Sequence, residues 1–233
     1  MSLLIHPNQT NDDQLHPMNN AQEARCLLRA HHYGALSTLS KKFDGFPFGS
    51  ITPYLVDHDG SLIILISTLA EHTKNIQADA RVSLICHNQR DPHIQTQGRV
   101  TVLGHASQIS DKLHTSTRYL RHFPEAVTYF EMHDFDFYRI QPHAIRYIGG
   151  FGRIHWVKMP HYAVPEAALF AQQENIKLDD LNKQPDVLKQ ILYERHAYTA
   201  LDPVAIGCDF DGIDIRSEGQ IWRVDFEPIE EAD

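Results

Sequence analysis

The chain has 233 residues, 42% hydrophobic and 22% charged, which excludes a disordered or fibrous protein and leaves one larger domain with a smaller appendage. A formal net charge of −9 lacks the basic footprint that nucleic-acid binding requires, so nucleic acid is excluded as a main partner. Cys26, Cys86 and Cys208 are widely spaced with no CxxC, which excludes a disulfide framework and a zinc module.

In chain order, "MSLLIHPNQTNDDQLHP" is polar, lacks the basic start and longer apolar run of a signal peptide, and suits a loose arm over residues 1–19. No stretch approaches ~18 consecutive apolar residues, so the chain reads as cytoplasmic, with no membrane partner expected. "NNAQEARCLLRAHHYG" offers an Asn cap, apolar Ala24, Leu27 and Leu28 at helical spacing, and a stop at Gly34. The period then changes. "ALSTLS", "FGSITPYLV" and "SLIILIS", separated by Gly- and Pro-bearing turns, predict a meander of antiparallel hairpins. Pro53 cannot donate a ladder hydrogen bond and belongs at an edge or a bulge.

A helix is predicted from Ala70 to Ala78, followed by strands "RVSLIC" and "QGRVTVLGHASQI". "SDKLHTSTRYLRHFPEAVTYFEM" predicts a helix with Leu113, Tyr119, Leu120 and Phe123 inward, and "DFDFYRIQP" and "AIRYIGGFG" predict two more strands. Short strands without a helix between each pair suggest a small closed or nearly closed barrel, not a parallel α/β sheet. After Pro160 and Pro165, two helices and three strands joined by "DFDG" and "SEG" predict a small α+β domain over 161–233.

Chemistry concentrates at "ISTLAEHTKNIQADARVSL", where a strand turns into a helix. A helix N-terminus presents unpaired N–H groups and suits an anion. Ser67, Thr68 and Thr73 add hydroxyls, Lys74 a charge and His72 a further donor. The same residues also suit a capped, solvated surface helix. No Ser-His-Asp arrangement, compelling carboxylate pair or P-loop is present. Catalytic residues are therefore not named.

"FPFGS", the strand–helix–strand segment, "GRVTVLGHA", "DFDFYRIQP" and "GGFG" occur in an order that resembles the split-barrel flavoproteins related to pyridoxamine 5′-phosphate oxidase. The resemblance is closest to their haem-iron-utilisation branch, covers about residues 20–157, and extends to the small C-terminal domain many members carry. It implies an α+β fold: an antiparallel split β-barrel of the FMN-binding type followed by a small α+β domain. It also implies a homodimer with flavin mononucleotide at the interface, acting as a flavin-dependent oxidoreductase on a small molecule. The phosphate would lie on the strand-to-helix segment, with Gln97, Arg99 and Ser50 near the cofactor. The alternative cofactor is haem, bound and degraded for iron release, and a non-catalytic flavin or haem carrier is a third reading. A haem protein of that branch takes a proximal histidine from its C-terminal tail, and here "EPIEEAD" holds none. The remaining candidates are His155, His161 and His196, with Asp134 matching an acidic position that pairs with the proximal histidine in a relative. Most of the sixteen histidines are scattered singly and read as ordinary surface or core residues. Flavin therefore ranks first from the sequence.

Overall fold

The computed structural model describes residues 12–89, 92–93, 95–150, 153–164 and 166–226, with side chains described from Asn20 onward. Residues 1–11 of the expected arm, Phe151 and Gly152 of "GGFG", and the tail 227–233 lie outside the described residues. No helix among the described residues is long and apolar enough to cross a membrane.

Helix α1 (Asp12–Arg29) begins well before the expected Asn cap and inserts Ala21, Ala24 and Leu28 into the core. It ends at Arg29, not at Gly34. Gly34 instead lies within β1 (Tyr33–Leu39), where a Cβ would meet the Ile85 carbonyl oxygen at 2.7 Å. The glycine permits close strand approach; it is not a helix stop.

The hairpins follow the expected order. β2 (Pro47–Pro53), β3 (Leu55–Val56), β4 (Leu62–Ser67), β5 (Arg81–His87), β6 (Arg99–Gln108), β7 (Phe135–Ile148) and β8 (Ile154–Val157) join β1 in one antiparallel sheet. The strand order is β2-β1-β5-β6-β7-β4-β3, with β8 also paired to β7. Helix α2 (Glu71–Ala78) packs on β1 and β2 where β2 approaches β4, so the sheet curls toward closure. Pro53 ends the edge strand β2, where its missing N–H costs no ladder bond.

Two expected strands fuse into the fourteen-residue β7, which pairs with β4 in its first half and β8 in its second. Pro142 does not break it. The β6–β7 register shifts between Leu103 and Gly104, opposite Pro142, and a bulge accommodates a residue without an N–H. The next expected helix divides at Pro124 into α3 (Lys112–His122) and α4 (Val127–Phe130), joined by a 3₁₀ turn. Tyr119 and Phe123 are buried as expected, but Leu113 is 77% exposed.

After α5 (Met159–Tyr162), helices α6 (Ala167–Asn182) and α7 (Pro185–His196) pack with a three-stranded antiparallel sheet. Its strands are β9 (Val204–Asp209), β10 (Gly212–Ser217) and β11 (Gln220–Asp225). The chain is thus a mixed α and β fold, with a curled antiparallel half-barrel and a small second sheet.

The two sheets meet through buried charge. Arg25 binds Asp211 through two bonds of 2.8 Å, Arg29 binds Asp209 at 2.8 Å, and Arg118 binds Glu174 at 3.0 Å. Arg223 grips Asp209 with a further pair of 2.8 Å bonds, while His122 lies 3.1 Å from Asp214. Burial pushes the nearby His32 imidazole down to about 4, so it is neutral at pH 7. Ion pairs so fully buried fix how the units dock, because any mispairing strands a charge out of water.

Candidate cofactor site

Five of the expected site residues do come together at the β4–α2 turn, but two of its three hydroxyls are already committed within the fold. Ser67 Oγ donates to Asp134 Oδ2 at 2.7 Å and accepts from the Leu69 amide at 3.0 Å. The Thr68 amide donates to the Asp134 carbonyl at 2.6 Å, and the Ala70 amide to the Ser67 carbonyl at 3.1 Å. Thr73 is fully buried, and its hydroxyl donates to the Ser67 carbonyl at 2.6 Å. Ala70 is the N-cap and Thr68 is not. The turn is therefore built largely from its own hydrogen bonds, with the Asp134 carboxyl beside it.

One charged group at this turn still faces solvent. Lys74 is exposed on α2 and lines an open groove of ≈ 430 Å³ with Lys41, Lys42, Glu71, Gln77 and Ala78. His72 has a buried Nε2 with no hydrogen-bond partner, and burial pushes its pKa down. Behind them Asn75, fully buried, donates to Thr38 Oγ1 at 3.0 Å and accepts from the Lys41 amide at 2.9 Å. This ties α2 to both β1 and the β1–β2 loop.

The other expected residues lie elsewhere. Ser50 sits on β2 opposite Leu36, partly buried. Gln97 is buried, and Arg99 begins β6, opposite His87 and Ile148. Ser67 pairs with Phe135 and Arg99 with Ile148, at opposite ends of β7. That separation is on the order of 40 Å of strand. Within one chain the phosphate cluster and Arg99 thus lie against opposite ends of β7.

The histidines are also redistributed. His196 Nε2 lies 2.8 Å from the Arg223 carbonyl, and its ring packs on Trp222, so it serves the C-terminal unit. His161 is exposed on α5, and its carbonyl accepts from Arg25 at 3.2 Å. His155 is partly buried on β8 opposite Tyr147. Asp134, expected beside a proximal histidine, is committed to Ser67. Among the described residues no group of three or more His, Cys, Asp or Glu side chains is arranged to hold a metal ion.

Sequence reasoning missed the outer face of the large sheet. In adjacent register, Ile51, Ala35, Ile85, Thr101, Arg146 and Trp156 form one row across β2-β1-β5-β6-β7-β8. Ile51 is 68% and Trp156 59% exposed. Neighbouring positions on this face include Ser37, Gly49 and Ser83 on one side, and Tyr33, His87 and Arg99 on the other. Across the strands the row spans about 25 Å at the usual strand spacing. Strict alternation carried the signal, but it does not say which strands align.

Comparison with known proteins agrees with this architecture. The model of the CREG β-barrel family matches residues 15–164. The chloroplastic heme oxygenase HOZ of Arabidopsis thaliana is 36% identical over 144 residues, which span 61% of this chain and 44% of that protein, less than half its length. The protein Atu2129 of Agrobacterium tumefaciens, of unknown function, superposes with a TM-score of 0.77 at 22% identity, covering 95% of this chain and 93% of that one. A heme binding protein from Mycobacterium smegmatis gives 0.56 at 22% identity, covering 96% and 90%. A Clostridium acetobutylicum protein of the pyridoxinephosphate oxidase family shares the split-barrel fold at 0.50 and 12% identity, covering 62% and 98%. With the curled sheet, most of α1 and the β4–α2 turn inside the matched span, the chain belongs to the CREG β-barrel family.

Proposed function

We propose that the protein works as a homodimer whose outer sheet faces pair, and that it binds haem at that interface and opens the porphyrin to release iron. The observation that carries this reading is the exposed row from Ile51 to Trp156, where Ile51, Ile85 and Trp156 supply apolar surface beside Arg146, with His87 and Arg99 on its border. Apolar walls suit a porphyrin, an imidazole its iron, and a guanidinium its propionates. Support for haem over flavin comes from the heme oxygenase relative and from the commitment of the Ser67 and Thr73 hydroxyls within the fold. The order inferred from sequence alone is thereby reversed. Bound haem would supply the redox chemistry, while this chain would supply an axial nitrogen, orientation and a dry cleft.

The test is a hemin titration followed by absorbance. One haem per subunit is expected, with affinity falling on acidification, because ligation needs a neutral imidazole. His87→Ala, His155→Ala and His161→Ala should separate, one altering the haem spectrum and two leaving it unchanged. His196 is omitted because its Nε2 already contacts the Arg223 carbonyl. Weak, substoichiometric binding insensitive to all three would sink the haem reading. Turnover with a reductant then separates a haem-degrading enzyme from a carrier.

Flavin-dependent oxidoreduction of a small molecule is the second reading, favoured by exposed Lys74 at the start of α2. In a dimer the partner copy would bring Gln97 and Arg99 toward a ring whose phosphate lies near Lys74. Lys74→Ala should then weaken flavin mononucleotide binding ten- to hundredfold, about 1.5–3 kcal/mol. Unchanged affinity in a fluorescence titration returns Lys74 to the solvated surface.

A further inference from the structure

The β1–β2 hairpin, "SKKFDGF" at residues 40–46, is tied by its own hydrogen bonds yet holds two aromatic rings in solvent. Its backbone is tied down by bonds from Ser40 N to Phe46 O (2.9 Å), Gly45 N to Ser40 O (2.8 Å) and Phe46 N to Phe43 O (3.0 Å). The Lys41 amide is anchored to buried Asn75. Asp44 and Gly45 adopt φ of 47° and 79°, so the turn reverses tightly. Phe43 is nevertheless 60% and Phe46 72% exposed. A loop this well bonded has not left its rings outside for want of order.

Charge accompanies the rings. Lys41 and Lys42 precede them, and together with Lys74 they line the open groove beside α2, opposed by Glu71 in the groove and Asp44 in the turn. Three lysines gather here on a chain whose formal net charge is −9.

We propose that this hairpin docks the protein on an anionic lipid bilayer, with Phe43 and Phe46 entering the headgroup boundary and Lys41 and Lys42 facing lipid phosphates. A hairpin tip with two exposed rings next to lysines suits a fluid interface better than a shaped protein pocket. Aromatic rings favour that depth, lysine stems follow them, and the ammonium groups meet the surface potential. The acidic remainder of the chain would be repelled, leaving the tip as the point of contact. Docking of this kind needs no spanning helix, so the expectation of no membrane partner, drawn from missing apolar spans, does not address it.

The test is co-sedimentation of the full chain with phosphatidylcholine vesicles, with and without phosphatidylglycerol. Binding is expected only to the anionic vesicles, and high salt should weaken it by screening. Phe43→Ser with Phe46→Ser should lower partitioning about tenfold or more. Lys41→Glu with Lys42→Glu should lower it on the order of 30-fold or more. Both variants should keep parental circular dichroism and light-scattering mass, and the Phe variant, which leaves the lysine groove intact, should keep cofactor affinity in solution, so a failure here is distinct from failure of the haem reading. A parent chain that ignores anionic vesicles overturns the proposal, as does a double Phe variant that binds them equally well. Loss of dimer mass in that variant also overturns it, making the tip a subunit contact.

Discussion

Arg223→Ala is expected to destabilise the protein by about 3–5 kcal/mol, the usual cost of removing one partner from a buried ion network. Arg223 is 5% exposed and bonds Asp209 twice at 2.8 Å, Asp225 at 2.9 Å and Asp214 at 3.4 Å. Arg29 and His122 would remain near Asp209 and Asp214, but neither can replace a guanidinium that spans both carboxylates. Urea unfolding followed by circular dichroism should show the midpoint falling. A change under 1 kcal/mol, the range of exposed pairs, would mean that the network is far wetter than its burial indicates.

The same cluster predicts acid sensitivity. Burial pushes the Asp214 carboxyl up, and Arg223 and His122 more than offset it, holding it at about 2 against an ordinary 3.8. Burial likewise raises Asp209 and Glu174, but Arg223 and Arg29 pull Asp209 lower, and the His58 hydrogen bond with Arg118 and Arg121 pulls Glu174 lower, with a net depression of both. A depressed carboxylate stabilises the fold above its unfolded pKa, and that contribution is lost as pH falls through the folded one. Stability should therefore decline from about pH 4 toward pH 2, and Arg223→Ala should flatten this slope.

Ile85→Asp is expected to raise the dimer dissociation constant a hundredfold or more, about 3 kcal/mol, and to abolish cofactor binding with it. Ile85 lies mid-row on the outer face, between Ala35 and Thr101. In a twofold interface each copy would bury the new carboxylate, so the penalty is paired. Ile85 is 37% exposed in the single chain, so the substitution does not empty the core. Light scattering of the parent should give twice the 26.7 kDa chain mass, and of the variant the chain mass alone. A monomeric parent that still binds cofactor would refute the paired-face arrangement.

How much of this was legible beforehand follows from the range of each interaction. The meander, α2, and the three C-terminal strands with their "DFDG" and "SEG" turns were readable, because alternation and turn residues act within a few positions. Pro142 misled, because a bulge depends on the register of a partner strand some forty residues upstream. Gly34 misled for the same reason, its cause being the Ile85 carbonyl on β5.

At the candidate site, residue types were visible in the sequence but their commitments were not. Ser67 reads as a phosphate donor until β7 delivers Asp134 to its hydroxyl, 67 residues along the chain. Arg25 and Arg29 look like the solvated side of an amphipathic helix, yet their carboxylates arrive from Asp211 and Asp209, 186 and 180 residues later. The outer face is likewise a product of six strands aligning side by side. The sequence by itself determined the local elements, because dihedral preference and side-chain period are properties of neighbours. Tertiary structure alone decided which donors were spent, which charges were paired and which face stayed open, because each depends on distant segments sharing a region from which water is excluded.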